Sequence, residues 1–281
     1  MSFYYDRLKA LIKLSRPINC LIGGLSVFIA AFVAGITVSW HGVVFAVISS
    51  MFITAGANAI NDWYDIEIDR INRPERVLPA GLISARAGFY AAIFSFACGI
   101  IFSIFIGLYA VIISLFSTAL LVFYSATLKR RVLWGNLVVS LVSGLAFIYG
   151  ALAGGNVTGG IVPALLAFLF HLGREIIKDM EDVAGDAKHG ANTLPVVYGE
   201  ETAKIIVIAV FAILILFTFI PYLIGYYNLL YLKTVVLGVN VVVAGVSFLL
   251  WSKSSRPQLK LYSTILKIDM LVGLFAIYIG S

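Results

Sequence analysis

Nine apolar runs follow one another along this chain, at roughly 17–40, 42–60, 85–106, 108–128, 134–154, 160–172, 202–223, 230–251 and 261–279. A hydrocarbon core takes about 20 apolar residues per helix, so the runs read as nine transmembrane helices and the fold class as all-α. With 61% of 281 residues hydrophobic and only 12% charged, a soluble domain is excluded. The first run is too long for the apolar core of a signal peptide and reads as a spanning helix. The sixth is short unless its helix runs on into the polar stretch 174–182, where Gly185 is expected to loosen the last turn. Cys20 and Cys98 lie inside apolar runs and read as small core residues, not as a disulfide framework.

The basic residues alternate from side to side. They fall at the N-terminus (Arg7, Lys9, Lys13, Arg16), after the second run (Arg70, Arg73, Arg76, Arg86) and after the fourth (Lys129, Arg130, Arg131). More follow the sixth (Arg174, Lys178, Lys188, Lys204) and the eighth (Lys253, Arg256, Lys260, Lys267), whereas the opposite loops contribute only Lys233. This pattern predicts a multi-pass protein of the cell membrane, with the N-terminus and both acidic segments cytoplasmic and the C-terminus outside. The net charge of +6 then reports topology, and no nucleic-acid partner is expected. The N-terminal stretch SFYYDRLKALIKLSR reads as a helix lying on the membrane surface.

Acids are concentrated in two places. One segment, about 61–81, holds Asp62, Asp65, Glu67, Asp69 and Glu75; another, about 174–200, holds Glu175, Asp179, Glu181, Asp182, Asp186 and Glu200. If the second helix continues past Ile60, Asn61, Asp65 and Asp69 share a face, with Asp62 beside them. On a continued sixth helix, Glu175, Asp179, Asp182 and Asp186 fall within a sector of roughly 60°. At about 6 Å and an effective dielectric near 20, each pair of carboxylates costs roughly 3 kcal/mol. Two compensations are open. Surface ion pairs with Arg70, Arg73, Arg174 and Lys178 are one; a hard divalent cation is the other, and a carboxylate-plus-amide ligand set favours Mg²⁺, which commonly takes substrate phosphate as a further ligand. Zinc fits poorly, because His41, His171 and His189 are scattered and lack cysteine partners.

An internal echo joins the two segments. Asp65 and Asp69 stand four apart and are followed by LPAG from Leu78; Asp182 and Asp186 stand four apart and are followed by LPVVYG from Leu194. Each follows the second helix of a four-helix unit, so the chain divides into two pseudo-repeated units plus a ninth helix. It reads as a single membrane-embedded domain over 1–281, with its site where the halves meet.

The stretch NDWYDIEIDRINRPER from Asn61, with LPAG from Leu78, resembles the first aspartate-rich signature of the UbiA-type intramembrane prenyltransferases. KDMEDVAGDAKHGANTLP from Lys178 resembles their second. Val77 departs from the pattern, since many relatives carry proline there. The resemblance spans the whole chain and implies a transferase that removes diphosphate from an isoprenyl donor and attaches the prenyl group to a lipid-soluble acceptor. It implies metal ligation by Asn61, Asp65 and Asp69 in the first motif and by Asp182 and Asp186 in the second, with Asp62 and Asp179 in support. Arg73, Arg76, Lys129 and Lys178 are candidates for gripping phosphate oxygens. Tyr124 is a candidate to face the cationic allylic carbon. The apolar tail of the donor would lie in a groove between helices.

Within the family, the first helix and the wording of both motifs are most similar to an archaeal ether-lipid branch. That likeness implies transfer from geranylgeranyl diphosphate to geranylgeranylglyceryl phosphate, and Lys13, Arg16, Asn19, Arg130 and Arg131 are polar groups on the correct side for the acceptor's phosphate. Two alternatives stand beside it. One is a polyprenyltransferase acting on an aromatic or quinone-precursor acceptor. The other is a divalent-cation transporter, disfavoured because the acids cluster at one membrane face.

Overall fold

The structure, a computed structural model, describes residues 2–281. It is all-α, with no strand among the described residues. A helix α1 (Ser2–Ser15) lies at 49° to α2 (Pro17–Val33). The break falls at Arg16, whose φ of 53° places it in the left-handed region, and Pro17 opens α2 where its missing N–H costs nothing. Helix α1 buries Ala10 and Leu14 in a core shared with Ile60, Val77 and Leu78. Its Tyr5, Leu8 and Ile12, part of the stretch expected to lie on the membrane surface, remain exposed. The aromatic side chains of Phe3 and Tyr4, part of that expectation, lie outside the described residues.

The spans follow as α3 (Trp40–Tyr64), α5 (Ala85–Ile104), α6 (Leu108–Ala126), α7 (Trp134–Gly154), α8 (Ile161–Lys188), α10 (Glu200–Leu223), the pair α11 (Leu229–Thr234) and α12 (Val241–Ser252), and α13 (Arg256–Gly280). Short helices α4 (Ile66–Asn72) and α9 (Leu194–Tyr198) lie between spans, and a π-helical stretch at Val235–Asn240 joins α11 to α12. Among the described residues eight helices are long and apolar enough to cross a membrane, and the bent α1–α2 pair supplies a ninth. The helices start where local chemistry favours it. Ser39 accepts from His41 N ahead of α3, Ser84 accepts from Ala87 N ahead of α5, and Ser255 with Gln258 forms a capping box on α13.

Three expectations change in detail. The first span ends at Val33, well before Trp40, because the chain turns through Gly35 and Ile36, both at positive φ. The second helix is interrupted at Asp65 before α4 resumes. Its hydrogen bonds continue across the break, Asp65 N to Asn61 O at 3.0 Å and Asp69 N to Asp65 O at 2.7 Å, so the register of the acids survives. Gly185 does not loosen the sixth span; α8 runs through it to Lys188. At 28 residues and about 1.5 Å per residue, α8 outruns a ~30 Å hydrocarbon core, which carries its acidic end beyond the apolar region.

The two expected units appear as α2, α3, α5 and α6, then α7, α8, α10 and α11–α12, with α13 closing the bundle. They meet closely along α2 and α7. A Cβ on Gly154 would stand 2.6 Å from Ala31 O, and one on Gly150 would collide with Val27 O. Small residues four apart let the two backbones touch, the packing that holds helices together where lipid removes the hydrophobic drive. Tyr149 adds a polar tie across the bundle, donating to Ser49 Oγ at 2.8 Å; Ser49 donates in turn to Gly99 O at 2.7 Å.

Candidate active site

A cavity of about 730 Å³ opens between the two units. Both acidic segments reach it, from the end of α3 with α4 and from the end of α8. Asn61, Asp65, Asp69, Asp179, Asp182 and Asp186 all line it, as do Arg16, Asn19, Arg73, Arg76, Tyr124, Lys129 and Lys178. Of the residues expected to hold metal or donor, all but one are therefore gathered at one place. Asp62 is 3% exposed and does not line the cavity. It sits behind the wall, where Arg16 donates to Oδ1, as does Arg76 at 3.3 Å. As α3 turns, Asp62 falls to the side of the Asn61–Asp65 face. Expected among the metal ligands, Asp62 instead accepts from two cavity cations and does not line the cavity. Of the further cations considered for the acceptor, Arg130 lines the cavity, whereas Lys13 and Arg131 do not; Lys13 instead donates to Glu75 O at 3.2 Å.

The carboxylates of the first segment are nearly all consumed by cations. Asp65 receives Lys129 and, at 2.9 Å, the Asn61 amide. Asp69 receives Arg76 at 2.5 Å. Burial pushes the Asp69 carboxyl above the usual carboxylate range; Arg76 opposes this, and the neighbouring Asp65 and Asp62 add to it. Arg76 is held above its ordinary value: burial pulls it down, but Asp62 and Asp69 outweigh that. Such carboxylates, crowded and drawn out of water, favour any added positive charge.

In the second segment Asp179 receives only a neutral donor, the Asn136 amide at 2.8 Å. Among the described residues Asp186 makes no ion pair. Asp182 accepts two hydrogen bonds from Arg73, at 2.9 and 3.1 Å, and so ties the segments together across the cavity. Glu175 receives Arg174 at 3.0 Å and Lys178 at 2.6 Å. The cations expected to grip phosphate, Arg73, Arg76, Lys129 and Lys178, are thus each held by a carboxylate, the ion-pair compensation that the sequence left open.

The site also contains residues that the sequence reading passed over. Asn136 near the start of α7 orients Asp179, and Lys267 on α13 donates to Asn19 Oδ1 at 2.6 Å. A lone amide and a lysine inside apolar runs were visible signals, because polar groups are costly at such depth. Gly135 lets α7 start against the active wall. A Cβ there would stand 3.0 Å from Lys129 Cα and 3.2 Å from Tyr124 Cε2.

The UbiA prenyltransferase family matches residues 22–271. This chain belongs to that family. It is accordingly a prenyltransferase. Digeranylgeranylglyceryl phosphate synthase of Methanopyrus kandleri is 38% identical over 96% of this chain and 98% of its own length; that of Thermococcus kodakarensis is 35% identical over 97% and 98%. A solved structure of a digeranylgeranylglyceryl phosphate synthase matches 98% of both chains at 29% identity with a TM-score of 0.79. A UbiA homolog from Archaeoglobus fulgidus, solved with DMAPP and Mg²⁺, shares the fold at 21% identity over 95% of this chain and 98% of its own, with a TM-score of 0.67. In this UbiA member both aspartate-rich segments fall within the matched region.

Proposed function

We propose that the protein transfers a geranylgeranyl group from geranylgeranyl diphosphate to geranylgeranylglyceryl phosphate, releasing diphosphate, and that it requires Mg²⁺. The observation that carries this is the meeting of two aspartate-rich segments, one from each unit, across a single cavity lined with cations. The name shared by relatives over nearly the full chain supports the choice of acceptor. The chain acts as one domain over 1–281, with the N-terminus and site cytoplasmic and the C-terminus outside; the distribution of lysine and arginine supports this orientation.

The donor set fits Mg²⁺. It consists of hard oxygens, and burial, with a smaller push from Asp65 and Asp62, raises the Asp69 carboxyl, so a cation beside it favours its charged form. Among the described residues no group of three or more acids, histidines or cysteines is placed to hold a metal by itself; Mg²⁺ commonly keeps waters and takes phosphate oxygens as further ligands. Asp65, Asp69, Asp182 and Asp186, with Asn61 and Asp179, are the residues placed to hold it. When bound, Mg²⁺ supplies neutralisation of charge on the leaving diphosphate.

The chain's own residues do the rest. Lys129, Arg73, Arg76 and Lys178 exchange a carboxylate for a phosphate oxygen as the leaving group accumulates charge. The allylic C–O bond breaks with its electron pair on diphosphate, and the Tyr124 ring faces the resulting cation. The apolar wall formed by α2, α6 and α7 takes the prenyl tail and keeps water from the cation.

The test is incubation of the purified protein with Mg²⁺, geranylgeranyl diphosphate and geranylgeranylglyceryl phosphate, with mass spectrometry for the two-chain lipid. Product that vanishes with chelator is the expected result. Absence of product, with transfer to an aromatic acceptor instead, overturns the choice of acceptor.

A further inference from the structure

From the cationic floor of the cavity, we infer that Lys267, with Asn19 and Arg16, forms a second anion site, separate from the aspartate-rich mouth, that binds the phosphate of the acceptor lipid. The inference rests on the prenyl-transfer reading and adds where the acceptor's headgroup sits. Lys267 lies in the middle of α13 and lines the cavity. Its ammonium donates to Asn19 Oδ1 at 2.6 Å, a neutral partner. Among the described residues it makes no ion pair, unlike Arg16, Arg73, Arg76, Lys129, Arg174 and Lys178. Arg16, Arg174 and Lys178 line the same cavity, and Arg174 donates to Ser263 O, one turn before Lys267, at 3.2 Å.

Four cations are thus gathered on this side of the cavity, with Glu175 and Asp62 as the carboxylates among them, and Arg76 shares Asp62. With Asp179 beside Lys178 counted as a third carboxylate, four cations against three acids leave a surplus of about one positive charge. A phosphomonoester carries about 1.5 to 2 negative charges near neutral pH, so it closes this surplus, whereas an uncharged aromatic acceptor leaves it open. An uncompensated ammonium at membrane depth is costly, and an anionic ligand removes that cost.

Position separates this site from the donor's. Arg174 and Asp182 are eight residues apart on α8, about 12 Å along the helix. Arg174, which donates to Ser263 O one turn before Lys267 on α13, is thus set back from Asp182 on the donor side, and Tyr124 lines the same cavity. The acceptor's hydroxyl shares one glycerol with its phosphate. Holding that phosphate fixes where the hydroxyl meets the allylic carbon.

The experiment compares wild type, Lys267→Gln and Lys267→Arg with two acceptors, geranylgeranylglyceryl phosphate and its dephosphorylated alcohol. Lys267→Gln is expected to raise KM for the phosphorylated acceptor at least tenfold, leave KM for the donor unchanged and erase most of the preference for phosphate over alcohol. Lys267→Arg is expected to restore much of that preference. Inorganic phosphate should compete with the acceptor in wild type and lose that competition in Lys267→Gln. If it competes with neither, while the preference is still erased, the site recognises the phosphate only as part of the lipid. The inference is overturned if the preference survives in Lys267→Gln, if donor KM rises as much as acceptor KM, or if the variant instead loses inhibition by inorganic diphosphate. Wild type that transfers nothing to either acceptor contradicts the underlying reading and is thereby told apart. Unchanged donor binding in each variant confirms that the protein is folded.

Discussion

The two aspartate-rich segments have nearly the same sequence spacing and opposite electrostatics. The α3–α4 segment is broken by one residue at Asp65, and its Asp62, Asp65 and Asp69 are each held by a lysine or arginine. The α8 segment is one unbroken helix in which Asp179 has only an amide for a partner and Asp186 has no ion pair. Among the described residues Arg73, donating from the first segment to Asp182 of the second, is the hydrogen-bonded link between them. Among the described residues the aspartates of the first segment are thus closed by cations, while the second keeps Asp179 and Asp186 without an ion pair.

That division is exposed to failure in several ways. The largest expected effect comes from Asp65→Ala and Asp182→Ala. Each should lower the transfer rate by at least about 10²–10³-fold, with membrane insertion intact; full activity in either variant breaks the site. Removal of Mg²⁺ should abolish turnover, and Ca²⁺ should restore little of it, because its coordination is longer and looser. Equal rates with both ions would count against the metal reading.

Asp186→Asn and Asp69→Asn sharpen the contrast directly. The Mg²⁺ concentration for half-maximal rate should rise more for Asp186→Asn, since Asp69 is already engaged by Arg76; equal shifts would erase the distinction between the segments. Tyr124→Phe should retain most activity and Tyr124→Ala should lose about tenfold, as expected of a ring face worth about 1–2 kcal/mol when shielded from water. The smallest effect on rate belongs to Asp62→Asn. It should act on Tm, at a cost of roughly 1–3 kcal/mol, because Asp62 supports Arg16 and Arg76 from behind the wall.

Much of this was legible along the chain. The apolar runs located the spans, since hydrocarbon thickness sets helix length. The acid spacing survived even the break at Asp65, because the backbone hydrogen bonds carry the register across it. Asp62 misled because a residue adjacent in sequence to Asn61 lies about 100° around the helix, and spacing does not say which side of a wall it takes. Lys267 was counted only for topology, because its partner Asn19 lies at the other end of the chain.

The sequence by itself determined that the chain spans a membrane many times, that its acids gather at one end of two corresponding helices, and that these carry the signatures of a prenyltransferase. Those properties are local, fixed by hydrophobic length and helical periodicity. Tertiary structure alone decided which cation neutralises which carboxylate, that Arg73 bridges the halves, and that a lysine from the last helix donates to Asn19 of α2. Electrostatic pairing depends on distances of a few ångströms between residues far apart in sequence, and only the packed bundle sets those distances.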